Sequence, residues 1–132
     1  MASNKNIRIK IIKIFLPILL GGLFYIYFCP DSYVSRFINI NLDNKNKVIW
    51  NNHIIILFRY YGLDMMWSYS LTCAIMWITG KKKFSLILSA IFSIIIEFLQ
   101  YFNSSLGTFD IFDIIFEVCS ILFAVYFWHD KN

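Results

Sequence analysis

Four stretches almost free of charge, residues 14–29, 65–79, 84–102 and 111–128, make up more than half of this 132-residue chain. Only Glu97, Asp113 and Glu117 interrupt them. A helix needs about 20 apolar residues to cross the hydrocarbon core of a bilayer, and each run approaches that length. Composition agrees: 59% of residues are hydrophobic and 15% are charged, with mean hydropathy +0.64. A soluble domain carries about 25% charged residues, so water-soluble globular and disordered classes fit poorly. The reading is an all-α integral membrane bundle of four transmembrane helices, a single membrane domain over residues 1–132 with spans at about 12–29, 64–80, 84–102 and 110–128. The second run is short at roughly 22 Å. Its helix must begin near Asp64 or rely on snorkelling lysines.

The few charges set an orientation. Lys5, Arg8, Lys10 and Lys13 precede the first run, and Lys81, Lys82 and Lys83 separate the second from the third. By the positive-inside rule both flanks are cytoplasmic. Both termini then fall inside, and the uncharged connection 103–109 falls outside. Twelve Lys and Arg against eight Asp and Glu give a net charge of +4, but the basic residues flank apolar runs and form no nucleic-acid patch. The basic N-terminus leads into an apolar run with no small-x-small cleavage site, so it reads as an uncleaved signal anchor. Tyr25, Tyr27, Tyr60, Tyr61, Trp67 and Tyr101 form an outer aromatic belt in this arrangement, and Trp77, Tyr126 and Trp128 an inner one. Residues 30–63 make a long outer connection in which a short interfacial helix is expected within 48–61. Cys29, Cys73 and Cys119 lack any CxxC pairing and read as small buried hydrophobes.

Acids within membrane spans are functional candidates by default because burying them costs several kcal/mol. Asp64, Glu97, Asp110, Asp113 and Glu117 all lie in or at the edge of the spans, near their outer ends. Counting along the helices puts Glu97 and Glu117 each about 10 Å below the outer edge of the core. In the third span Ser85, Ser89, Ser93, Glu97 and Tyr101 recur every four residues, a stripe that suits close helix packing. In the fourth, Asp113, Glu117, Ser120 and Ala124 share one face. Asp64, Trp67, Ser68 and Thr72 sit at the outer end of the second. Together they define a polar pocket open to the outside, with Asp64, Trp67, Glu97, Gln100, Asp110, Asp113 and Glu117 as candidate ligand-binding residues. Several of these also have purely structural readings: Asp110 as a helix N-cap, Asp113 at the positive end of a helix dipole, Asp64 as a cap, and Gln100 as an interhelical hydrogen-bonding group. Two carboxyls at one depth require a partner, which a proton, Arg59 or a bound cation can supply.

The stretch Glu97-Phe-Leu-Gln100-Tyr-Phe followed by Gly107-Thr108-Phe109-Asp110-Ile-Phe-Asp113 resembles the ExxQ and GxxDxxD pattern of VanZ-like integral membrane proteins. Upstream, Asp64-Met-Met-Trp67-Ser-Tyr69-Ser-Leu71-Thr72 resembles the motif that opens the preceding span in their small bacterial relatives. The likeness covers about residues 60–128. The chain departs from the pattern at Thr108, where better-known members have a basic residue, at Glu117, where they have Asn, and around Trp67 and Ser68, where they have His. The resemblance implies a multi-pass protein of the bacterial cytoplasmic membrane. Its founding member is associated with resistance to the glycopeptide teicoplanin.

The leading expectation is a non-enzymatic binding or envelope-modifying protein whose acidic pocket holds the polar headgroup of an envelope lipid, or a glycopeptide. Carboxylates and Gln100 suit amine and hydroxyl donors, and Trp67 and Tyr101 offer stacking faces. A small proton-coupled transporter is the alternative, as is a homo-oligomer or a subunit of a larger membrane complex. Paired carboxylates can do acid–base work. No nucleophile–base pair or His-rich ligand set is visible, so no catalytic residue, metal or cofactor is assigned.

Overall fold

The computed structural model describes residues 2–28, 56–103 and 110–128. These residues form four α-helices and no strand: α1 (Ala2–Phe28), α2 (Leu63–Thr79), α3 (Lys82–Phe102) and α4 (Ile111–Phe127). Each end has a local cause. The α2 helix stops where Gly80 takes a left-handed conformation with φ 65° and returns its N–H to Met76 O, a backbone state that costs a glycine little. Two residues later α3 begins, so the two helices run antiparallel. The N-cap of α4 is Asp110, whose Oδ1 accepts from Phe112 N at 3.0 Å. One residue after Phe127 the backbone turns extended at Trp128.

Three of the expected spans lie within two residues of the observed helices. The first differs: α1 begins at Ala2, about ten residues before the apolar run. Lys and Arg are good helix formers, so hydropathy marks where a helix becomes apolar and not where it starts. The interfacial helix expected within 48–61 lies mostly outside the described residues. In its described part residues 56–57 are helical and the five-residue π-turn Phe58–Gly62 runs directly into α2. Gly62 permits this close winding, since a Cβ there would meet the Phe58 ring at 2.8 Å. Phe58 in turn packs edge-on against Phe24 of α1, centroids 4.7 Å apart.

The helix α2 is the hub and packs against α1, α3 and α4, while α3 and α4 also touch each other. At one end α1 and α2 meet through Gly21 and Met66. At the other, Ile14, Cys73, Met76, Ala124 and Trp128 form the apolar core cluster. There the Lys13 ammonium donates to Phe127 O at 2.9 Å, and Lys10 and Lys13 lie 5.5 and 5.8 Å from the Trp128 ring centre. Trp128 is thus a core residue under two lysines, 2% exposed, and not a member of an aromatic belt. Cys73 is buried but Cys119 is exposed, which corrects the expectation for that thiol, and Cys29 lies outside the described residues.

Polar side chains fill much of the interior. Ser68, Ser70, Thr72, Ser85, Ser89, Ser93, Glu97, Asp113, Glu117 and Ser120 are buried, against seven buried apolar residues. The outer faces carry Ile, Leu and Phe, as at Ile87, Ile91, Ile94, Ile95 and Phe98 of α3. Among the described residues, α3 is the one helix long and apolar enough to cross a membrane by itself. The helices α2 and α4 have 17 residues each, at the lower limit for a span.

Candidate ligand-binding site

Three helices bring their acids to one end of the bundle, opposite the lysines. The stripe expected on α3 is present: Ser85, Ser89, Ser93 and Glu97 are each no more than 2% exposed. It ends there, because Tyr101 turns outward. Four-residue spacing drifts around a helix of 3.6 residues per turn, and by the fifth position the side chain has left the buried face. The α4 stripe of Asp113, Glu117, Ser120 and Ala124 is buried throughout.

Asp113 senses Asp64, Glu97 and Asp110, and Glu117 senses Asp64 and Glu97. No Lys or Arg among the described residues figures among the electrostatic neighbours of Asp64, Glu97, Asp113 or Glu117. The Arg59 side chain, expected as a possible bridge, lies outside the description. The Asp110 backbone N–H lies near the Glu97 carboxyl, and the Trp67 indole N–H lies near Asp64 and Glu117. Each buried acid nevertheless keeps one oxygen without a hydrogen-bond partner: Glu97 Oε2, Asp113 Oδ1 and Glu117 Oε2. The Ser93 hydroxyl stands beside Glu117 but outside hydrogen-bond geometry. Unsatisfied buried polar groups are rare and each costs about 1–3 kcal/mol. Four of these groups gather at one end of the bundle.

The remaining candidates divide. Asp110 is committed to the α4 cap, and its second oxygen accepts from Tyr61 at 3.3 Å. Gln100, one turn beyond Glu97, is half-buried. Ser68 and Thr72 do not offer their hydroxyls to the pocket: they bond Met65 O at 3.1 Å and Ser68 O at 2.7 Å in their own helix. Ser120 crosses from α4 to bond Met65 O, which fixes the two helices about one turn below Glu117. Two further groups escaped the sequence reading. Tyr61 was placed only in the aromatic belt, yet it stacks on Phe116 at 4.7 Å and bonds Asp110. Ser70 is buried and unpartnered, and nothing in its neighbourhood of the sequence distinguishes it from Ser68. Ser93 lies on the expected stripe with Glu97, and the structure also sets it beside Glu117.

Among the described residues no three His, Cys, Asp or Glu side chains converge in a way that could hold a metal ion. The cluster's chemistry is that of a hydrogen-bond acceptor array with one indole donor. Compared with family models, curated proteins and solved structures, the chain finds no match.

Proposed function

We propose that this chain is a VanZ-like multi-pass protein of the bacterial cytoplasmic membrane that binds, without transforming it, the polar headgroup of an envelope component in its acidic pocket. The membrane part of the reading is supported by the inverted distribution of side chains, serines and glutamates inside and Ile, Leu and Phe outside. Lipid tails solvate such a surface, and small polar residues are what membrane helices place between them. Placement of the acidic end outside rests on the lysines at the other end.

The binding part is carried by one observation: Glu97, Asp113 and Glu117 are buried together, each with an oxygen lacking a partner, and no described cation neutralises them. A guest with ammonium or hydroxyl donors supplies the missing bonds. Trp67 adds an aromatic face beside them.

The test uses glucosamine, which carries an amine and several hydroxyls, titrated calorimetrically into the protein in phosphatidylcholine nanodiscs. Charge-assisted hydrogen bonds contribute about 1.5–3 kcal/mol, so Glu97→Gln and Glu117→Gln should each weaken binding by roughly tenfold or more. Lys82→Gln, at the far end, should leave it unchanged. Equal binding by all four proteins, or none by the unaltered chain, refutes the site.

A further inference from the structure

A second feature shares Trp67 with this acid cluster. Between α1 and α2 lies a groove with a cavity volume of about 350 Å³, its walls almost wholly apolar and formed by Ile18, Gly21, Gly22, Leu63, Met66 and Trp67. That volume falls at the small end of natural ligand pockets. Gly21 and Gly22 make the groove. A Cβ on Gly21 would press on Met66 Sδ at 3.2 Å, whereas a Cβ on Gly22 would meet nothing within 4 Å. The groove therefore opens over Gly22 while α1 stays close to α2 at Gly21.

Trp67 belongs to both places. It helps wall the groove, and its indole N–H lies near Asp64 and Glu117. An apolar trough thus ends at a tryptophan whose polar edge lies beside Asp64 and Glu117, and Glu117 keeps an unpartnered buried oxygen. From this juxtaposition we infer that the occupant is a single-chain amphiphile, its hydrocarbon tail in the groove over Gly22 and its amine head on Glu97, Asp113 and Glu117. The head's charge is complementary to the acids, and the tail matches the apolar walls. The inference rests on the binding reading above and adds to it the tail, the groove and the cationic character of the head.

The experiment uses hexadecylamine carrying a photoactivatable diazirine in its tail, added to the protein in phosphatidylcholine vesicles, with crosslinked positions mapped by mass spectrometry. Hexadecanol with the same diazirine serves as the uncharged control. Crosslinks are expected on residues 18–26 of α1 and 63–67 of α2. The amine should label these sites about tenfold more than the alcohol, a difference of about 1.4 kcal/mol. Gly22→Leu fills the trough and should remove most of this labelling, with Gly22→Ala intermediate. Both substitutions replace a helical glycine with a better helix former in open space, so the fold is retained. Glu97→Gln should lower labelling by the amine to the level of the alcohol. Labelling spread evenly over exposed faces such as Ile91 and Phe98, or unaffected by Gly22→Leu, overturns the tail site. If glucosamine binding then still depends on Glu97, the headgroup reading survives alone; if it does not, both fall.

Discussion

Asp110 shows how one residue can serve the fold and border the site. Its Oδ1 caps α4, its Oδ2 accepts from Tyr61, and its backbone N–H lies near Glu97. The cap holds the first turn of α4 in place and with it Asp113, three residues on. Replacement of a capping Asp costs about 1 kcal/mol, so its structural role alone justifies its presence. Tyr61 couples the π-turn to that cap. Partial burial, and then the Asp110 charge, holds the Tyr61 phenol above its ordinary value of 10.0. The folded protein keeps this proton more tightly than the unfolded chain does. The associated stability is complete below about pH 10, where both states are protonated, and is lost as pH rises through the folded value. The melting temperature of the wild type should therefore fall further between pH 9 and 11 than that of Tyr61→Phe. Parallel curves for the two proteins would show that the phenol is not coupled to folding.

At the scale of helices, α3 is built inside out, with Ser85, Ser89 and Ser93 on the covered face and Ile and Phe on the other. Small side chains let α3 approach α2 and α4 closely, which on the membrane reading proposed above makes association depend on van der Waals contact and not on the expulsion of water. Ser89 is fully buried and its hydroxyl has no partner. Ser89→Ala removes an unsatisfied group and little volume, and is expected to leave thermal stability in detergent equal or slightly higher. Ser89→Leu inserts bulk into the same space and should lower stability by about 1–3 kcal/mol. A loss of stability in the alanine variant would mean that the hydroxyl has a bond the structure does not reveal. This face was legible in the sequence because a four-residue serine repeat is short enough to stay in phase with the helix as far as Glu97. The π-turn was not legible: Phe58–Gly62 contains nothing that distinguishes it from an ordinary helical turn until the Phe58 ring is seen lying over Gly62. The start of α1 was missed because charge ends a hydrophobic run without ending a helix. A Trp at the end of an apolar run reads as an interface aromatic, while the actual neighbours of Trp128, Lys10 and Lys13, are more than a hundred residues away in sequence.

Over the whole molecule the helices alternate in direction, so both ends of the charge distribution are assembled from distant segments. Arg8, Lys10 and Lys13 of α1 share one end with Lys81, Lys82 and Lys83, and Asp64, Glu97, Asp110, Asp113 and Glu117 share the other. An even number of antiparallel helices returns the chain to the side where it began, which makes the lysines of both segments consistent with a single cytoplasmic face. The arrangement predicts opposite accessibilities for Tyr60 and Lys82, both exposed. In a background with Cys29, Cys73 and Cys119 replaced by alanine, Tyr60→Cys should react with a membrane-impermeant maleimide on intact bacterial cells. Lys82→Cys should react only after lysis. The reverse pattern would place the acidic pocket on the cytoplasmic side and remove extracytoplasmic headgroups from consideration. Recovery of the chain in the supernatant after ultracentrifugation of lysed cells would refute the membrane reading as a whole. It would then leave the exposed Ile, Leu and Phe faces to be covered by protein, because water does not tolerate an apolar surface of that extent.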